Sequence, residues 1–292
     1  MPVRVPLLAL LALLHPAARI GWQYFSVHWS TVIGIAALWG LYEWRARRQH
    51  SAATGGDPTG PSVAQRASFA GGLLVLFLAL NGPLHDLSDY YLFSAHMVQH
   101  LVLTFFVPPL LLAGTPGWML RPALRTPWVA SLARRVTGAR TAFVIFNVVI
   151  VAWHLPDLYN SAMAFHSVHI VEHLMFLVSA TLMWWPLLSP LPELPRLPYP
   201  GQILYSFLMS IPMSIVAICI TLADHVLYPA YSAAPRLWGL TPLADQQLGG
   251  LLMWVPGGLF LTVVLSVVFF KWSAAGRDDR AGAQVNWRPA AS

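Results

Sequence analysis

Long runs of apolar residues alternate with short polar segments along this chain of 292 residues. Each run approaches the length of about 20 residues that an α-helix needs to cross the hydrocarbon core of a bilayer. The pattern therefore predicts an all-α integral membrane protein that contains a bundle of about seven transmembrane helices. The predicted spans cover residues 27–44, 67–82, 94–113, 139–155, 167–188, 202–222 and 248–271.

The two ends of the chain fall outside this predicted membrane domain, which covers residues 21–272. Residues 5–14 are apolar but too few to span a bilayer, and Arg4 precedes them. Residues 1–20 therefore resemble a signal peptide, and an uncleaved interfacial anchor is the alternative. Residues 273–292 are expected to form a cytoplasmic tail. Within the third span, Pro108 and Pro109 are expected to bend or end the helix, because proline lacks a backbone N–H.

The overall composition supports a membrane protein and excludes several other classes. Apolar residues make up 57% of the chain and charged residues only 10%, whereas an ordinary soluble domain carries about 25% charged residues. This balance excludes a soluble enzyme, a nucleic-acid-binding module and a disordered linker. The chain contains a single cysteine, Cys219, which excludes an internal disulfide and a Cys-x-x-Cys metal or redox motif.

The positive residues predict the orientation of the bundle, because lysine and arginine collect in cytoplasmic loops. Fourteen of the 17 fall on one predicted side, which places the N-terminus outside and the C-terminus in the cytoplasm. The arginine-rich segment 115–140 also contains apolar residues and is expected to lie on anionic lipid as a short amphipathic element, with a plain basic loop as the alternative. The fourteen are Arg45, Arg47, Arg48, Arg66, Arg121, Arg125, Arg134, Arg135, Arg140, Arg196, Lys271, Arg277, Arg280 and Arg288.

Histidine is the most informative residue type, because nine of the eleven histidines fall at one expected membrane depth, near the outer ends of the spans. Two pairs, His96 with His100 and His169 with His173, have a spacing of four residues. This spacing places both rings of a pair on one helical face, where they can bind one metal ion together. Polar groups within a membrane are costly and tend to be functional. The sequence therefore predicts a metal or cofactor site near the outer face.

Other residues at the same depth complete the predicted site. His154 and His225, from neighbouring spans, are expected to join the two pairs or replace one of their members. Asp245 has a second interpretation as a favourable first-turn charge, because Thr241 and Pro242 are typical of a helix start. Four further residues are expected to support the histidine ligands: Glu172, Asp224, Asp245 and His85. The three acidic residues would hold the second ring nitrogens of the ligating histidines.

The ligand types leave the identity of the metal open. Imidazoles without a thiolate suit copper, zinc or non-haem iron. Met97, and the pair Met209 and Met213 on one face of the sixth span, would favour Cu(I) as thioether ligands, although methionine also fills apolar cores. One haem near the outer surface is a further alternative, whereas two stacked haems would need histidines at two depths.

Residues 169–173 also match the His-x-x-Glu-His pattern of inverted zinc metalloproteases, in which both histidines bind zinc and the glutamate activates water. The third zinc ligand is usually a downstream glutamate, but the later glutamate of this chain, Glu193, lies on the predicted cytoplasmic side. A membrane-embedded metalloenzyme with Glu172 as proton carrier is therefore one alternative. A metal-free scaffold, whose basic loops dock partner subunits or lipid, is another.

Seven short motifs in a fixed order resemble those of the multi-pass CtaG family, the assembly factors associated with caa-type cytochrome c oxidase. The resemblance extends over residues 22–272. The motifs are His-Met-Val-Gln-His at 96–100, Pro-Pro-Leu-Leu at 108–111, Gly-Thr-Pro at 114–116, Trp-His-Leu-Pro at 153–156, His-x-x-Glu-His at 169–173, Trp-Trp-Pro at 184–186 and Asp-Gln-Gln-x-Gly-Gly at 245–250.

The resemblance implies a multi-pass protein of the bacterial plasma membrane that is needed to make an active haem–copper oxidase. It implies a role in delivering or inserting copper, without an enzymatic activity of its own. The implied partners are cytochrome c oxidase subunits and the lipid bilayer, and nucleic acid is not among them. The positions that match the family and are carried over as candidate metal-site residues are His96, His100, His154, His169, Glu172, His173 and Asp245.

Overall fold

The computed structural model describes residues 26–52 and 60–286, and over these residues it is built from α-helices and short 3-10 turns. The all-α class predicted from the sequence is confirmed. The proposed signal peptide or anchor, residues 1–20, lies outside the described residues. The α-helices are α1 (Trp29–Ala52), α2 (Val63–Leu80), α3 (Pro83–Tyr90), α4 (Phe93–Phe105), α5 (Val107–Gly114), α6 (Gly117–Leu120), α7 (Pro127–Val136), α8 (Ala139–Trp153), α9 (Pro156–Ala164), α10 (His166–Leu188), α11 (Tyr199–Thr221) and α12 (Pro242–Asn286).

Five described helical segments are long and apolar enough to cross a membrane, and a sixth is obtained if α7 and α8 count as one bent span. Two of the seven predicted spans, those at α1 and α8, are not among the five, and each has a physical reason. The second half of α1 carries Glu43 and Arg45, which lower its hydropathy, and α8 has only 15 residues. The five segments are Val63–Leu80, Phe93–Gly114, His166–Leu188, Tyr199–Thr221 and Pro242–Gly276.

Local sequence signals explain where several helices begin and bend. At the start of α2, the Ser62 hydroxyl accepts a hydrogen bond from the Gln65 amide, and the Gln65 side chain accepts one from the Ser62 amide. This reciprocal pair satisfies two amides that have no partner within the helix. The third span breaks at Phe106, between α4 and α5, directly before Pro108 and Pro109, as the sequence predicts.

The segment between the third and fourth spans contains a short amphipathic helix. In α7, Trp128 and Leu132 are exposed, and Arg134 and Arg135 lie in the last turn. The chain bends by 71° between α7 and α8, so α7 leaves the direction of the bundle. This geometry is that of a helix running along a surface. At the far end of the chain, α12 continues to Asn286, so most of the predicted tail is helical.

The main hydrophobic core lies among α4, α8, α10, α11 and α12 and contains buried aromatic and methionine side chains. Close packing of α11 against α12 depends on Gly250. A Cβ atom at this position would lie 2.8 Å from the Thr221 amide nitrogen and 2.9 Å from the Ala217 carbonyl oxygen. Small residues permit such backbone approach in membrane helices. The neighbouring Gly249 packs α12 against Phe93 and Met97 of α4, which carries the first histidine pair.

Candidate metal centre

The four histidines of the two predicted pairs come together in one buried cluster. His96 and His100 lie on α4, and His169 and His173 lie on α10. None of the four is more than 9% exposed, and Glu172, on α10 between the second pair, is fully buried. The His-x3-His spacing therefore places each pair on the face of its helix that is turned into the protein, where the two faces meet.

Ligand atoms within this histidine cluster lie close enough to share an ion. His96 Nε2 and His100 Nε2 are 2.8 Å apart. Glu172 Oε1 lies 3.6 Å from His100 Nε2 and 4.0 Å from His96 Nε2. Two sets of three side chains, both of which include His96, have ligand atoms within 4.8 Å of one another. The sets are His96, His169 and His173, and His96, His100 and Glu172.

Several buried polar atoms of the cluster have no hydrogen-bond partner among the described residues. They include Nε2 of His169, Nε2 of His173 and both carboxylate oxygens of Glu172. Buried polar groups are normally hydrogen-bonded, because leaving one unpaired costs about 1–3 kcal/mol. A group of such atoms at one place has the chemistry of a metal site, since imidazole nitrogens and a carboxylate are donors that a cation would satisfy.

Hydrogen bonds to the second ring nitrogens fix the tautomers of two histidines. The Tyr231 hydroxyl donates to the Ser88 carbonyl oxygen, so it accepts from His96 Nδ1, which lies 3.2 Å away. His154 Nδ1 donates to the Ile150 carbonyl oxygen over 2.7 Å. In both rings the other nitrogen, Nε2, therefore carries a lone pair. Such hydrogen bonds orient histidine ligands and raise their basicity.

His85 and Asp89, on the short helix α3 between two spans, border the cluster. Asp89 Oδ1 lies 3.4 Å from His85 Nδ1, and Asp89 Oδ2 lies 3.6 Å from His169 Nδ1. The Gln99 side-chain amide donates to His85 Nδ1 over 3.0 Å. Burial raises the pKa of Asp89 to about 7, and burial together with the neighbouring His28 lowers the pKa of His85 to about 3. His85 is therefore a neutral ring at physiological pH.

Sequence reasoning missed Asp89, Gln99 and Tyr231 as neighbours of the histidines. The spacing of four residues from His85 to Asp89 is a helical signal that could have identified Asp89. Gln99 lies three residues after His96, so it too lies near the face that carries the pair. Nothing in the local sequence marks Tyr231, because a loop far along the chain brings it to His96.

Three predicted site residues have other surroundings. His225 pairs with Asp224, its neighbour in the chain, over 2.6 Å, and both side chains are mostly exposed. Neither belongs to the groups of side chains whose ligand atoms lie close enough to share an ion. Asp245 is buried, but it accepts hydrogen bonds from the Phe93 amide over 2.7 Å and from the Ser94 amide over 3.1 Å. It therefore caps α4 and does not orient a histidine ring.

A cavity of about 270 Å³ leads from the protein surface to the cluster. His166, which is exposed, and His28, which is half-buried, line it together with the buried His85, His169 and His173. The remaining wall consists mainly of leucine and isoleucine side chains from α1, α2, α4 and α10. The His28 ring centroid lies 4.4 Å from that of His85 and 5.8 Å from that of His166. Histidine rings thus follow one another from the surface to the buried site.

The chain is similar to proteins from three mycobacteria. Proteins of Mycobacterium bovis and Mycobacterium tuberculosis, both described as uncharacterized, are each 29% identical to it over 210 residues, which covers 65% of this chain and 32% of each relative. An uncharacterized protein of Mycobacterium leprae is 23% identical over 210 residues, which again covers 65% of this chain and 32% of the relative. The chain thus spans about a third of the length of the curated relatives it matches. No solved structure matches it.

A family model described as cytochrome c oxidase caa3 assembly factor matches residues 35–275. The match covers every helix that contributes to the histidine cluster and extends over most of the chain, in agreement with the motif resemblance. The chain therefore belongs to the Caa3_CtaG family, the cytochrome c oxidase caa3 assembly factors.

Proposed function

We propose that this protein binds copper in the buried histidine cluster and hands it over during the assembly of a haem–copper cytochrome c oxidase. The observation that carries the proposal is the group of buried, unpartnered ligand atoms on His169, His173 and Glu172, directly beside His96 and His100. Copper is the cargo in this proposal, and the protein's own residues hold and release it.

The ligand chemistry and the family together favour copper over the other metals. Imidazoles and a carboxylate suit zinc and non-haem iron as well, but the product of a haem–copper oxidase assembly factor requires copper. Haem fits less well. The rings of His169 and His173 have centroids 4.2 Å apart and those of His96 and His169 lie 5.3 Å apart, which leaves no space for a porphyrin between them.

The charge distribution favours a site at the outer side of a bacterial plasma membrane. The histidine pairs lie near the N-terminal ends of α4 and α10, whereas the arginine-rich segments join the opposite helix ends. Positive residues mark the cytoplasmic side. We therefore assign α1, α8 and the five apolar segments to seven spans, with the N-terminus outside, and α7 to the anionic lipid of the inner surface. Copper from outside then reaches the cluster through the cavity beside His166.

Neutral imidazole ligands suit transfer, because they exchange with an incoming ligand and lose the metal when they are protonated. A metalloenzyme would instead need a free general base. Glu172 Oε1 lies beside both His96 Nε2 and His100 Nε2, where it completes a ligand set. This position suits a ligand better than a base, and it favours a carrier over an enzyme.

His96 offers the sharpest test in cells, because it belongs to both ligand sets. In a strain that lacks the gene, a His96→Ala variant is expected to leave haem–copper oxidase activity as low as in the uncomplemented strain. Wild type and His225→Ala, which changes an exposed histidine, are expected to restore it. Oxidase activity is measured in membranes that contain equal amounts of each variant. Full restoration by His96→Ala would contradict the proposal.

A further inference from the structure

A second, much smaller cavity adjoins the histidine cluster at His100. Its volume is about 10 Å³, close to that of one water molecule or one ion. His100 and His154 line it, and so do three methionines from three different helices. The methionines are Met97 on α4, Met213 on α11 and Met253 on α12.

Both histidines of this small cavity have a nitrogen without a partner among the described residues. These atoms are His100 Nδ1 and His154 Nε2, and both are buried. His100 Nε2 is the nitrogen that faces His96, so Nδ1 is the nitrogen of this ring that is left to bind a second ion. His154 donates from Nδ1 to the Ile150 carbonyl oxygen, so its Nε2 carries a lone pair. The two ring centroids are 6.0 Å apart.

The three methionines are held deep in the core. Their exposed fractions are 0% for Met97, 2% for Met213 and 3% for Met253. Met213 packs directly against Gly257, where a Cβ atom would lie 2.7 Å from Met213 Cε. Met209, which the sequence pairs with Met213, differs because its sulfur accepts a hydrogen bond from Asn147 Nδ2 over 3.6 Å. Met253, and not Met209, therefore lies beside Met213 in the lining of the small cavity.

We propose that this cavity is a Cu(I) site whose ligands come from His100, His154, Met97, Met213 and Met253, and that it is separate from the histidine cluster but shares His100 with it. Thioether ligands are soft and select Cu(I), and imidazole also binds copper. All five side chains are uncharged, and a monovalent ion is less costly than a divalent one to hold in an apolar interior without a carboxylate. When the ion passes from Nε2 of His100 to Nδ1 by ligand exchange, the ring proton moves the opposite way, from Nδ1 to Nε2, so that the imidazole stays neutral. This inference rests on the proposed function, because the cluster supplies the ion.

X-ray absorption at the copper edge tests the inference on the full-length protein, loaded with Cu(I) under anaerobic, reducing conditions. Wild type is expected to have sulfur as well as nitrogen neighbours around copper. The triple variant Met97→Leu, Met213→Leu, Met253→Leu is expected to lose the sulfur signal and to bind Cu(I) about tenfold more weakly, with Zn(II) binding unchanged. Leucine conserves the methionine volume, which cores tolerate best.

A matched triple variant controls for the loss of buried methionines. Met119→Leu, Met183→Leu and Met209→Leu change three buried methionines that do not line the small cavity, and this variant is expected to keep the sulfur signal. His154→Asn, tested alone, is expected to weaken Cu(I) binding and to keep Zn(II) binding.

Two outcomes separate this inference from the proposed function. Wild-type copper with nitrogen neighbours only would overturn the methionine site, with water as the occupant of the small cavity, and would leave copper binding by the histidine cluster intact. Wild type that binds no copper at all would overturn both. A sulfur signal that survives in the triple variant of the lining methionines would also overturn the methionine site.

Discussion

Replacing His100 and His173 together by alanine is expected to lower the copper bound per protein molecule at least about tenfold. Mutating a residue that only hydrogen-bonds to a metal ligand typically weakens metal binding about 10–100-fold, and these two residues are themselves ligands in the proposal. Each substitution removes one member of a different ligand set, so neither set keeps three side chains. Metal analysis after loading and extensive dialysis gives the copper content. Copper is also expected to raise the thermal stability of the wild type and to have little effect on the variant. The reason is that a ligand stabilises the folded state only when it binds to it.

The metal-free form of this variant provides an internal control. His173 Nε2 and His100 Nδ1 have no partner among the described residues, so removing them breaks few native hydrogen bonds, and the variant is expected to remain folded. His225→Ala serves as the matched control, because the His225 side chain is mostly exposed and hydrogen-bonds to the equally exposed Asp224. Equal copper contents for the double variant and the wild type would show that the histidine cluster does not bind the copper.

Asp245→Ala is expected to produce the largest loss of stability, about 3 kcal/mol or more. The Asp245 carboxylate is 1% exposed and accepts three hydrogen bonds from the first turn of α4, from the Phe93 amide, the Ser94 amide and the Ser94 hydroxyl. Alanine leaves these three buried donors unpaired, and each unpaired donor costs about 1–3 kcal/mol. Because the same turn leads into His96, copper binding is expected to weaken as well.

Thermal unfolding of the purified protein measures the effect of Asp245→Ala. Asp224→Ala provides the comparison, because the Asp224 side chain is 94% exposed and such substitutions change stability by no more than about 0.5 kcal/mol. Asp245→Asn keeps one accepting oxygen and is expected to fall between wild type and alanine. If Asp245→Ala unfolds at the wild-type temperature, the capping role is wrong.

Much of the helical architecture could be predicted from the sequence because bilayer thickness imposes a length on apolar runs. Predicted spans 94–113 and 167–188 agree closely with the segments Phe93–Gly114 and His166–Leu188. The spacing of the two histidine pairs also places their rings on common helical faces, and the structure brings the two faces together. Periodicity along one helix is a local property, so it could be deduced without coordinates.

Features that depend on distant parts of the chain could not be predicted in this way. Asp245 caps a helix that begins more than 150 residues earlier, and Tyr231 reaches His96 from a loop. Met253 lines the small cavity together with Met213 because of the way in which α12 packs against α11, which the sequence of neither helix reveals. His225 was expected at the site because it lies at the right depth, but depth does not determine the direction in which a residue after a helix end projects.

Anomalous X-ray diffraction at the copper edge, from crystals of the copper-loaded protein, most directly tests whether the histidine cluster binds copper. We expect a strong anomalous peak within the cluster, between the α4 pair His96 and His100 and the α10 pair His169 and His173. A fully loaded crystal with no peak there, or with copper only at exposed histidines such as His225, would contradict this expectation.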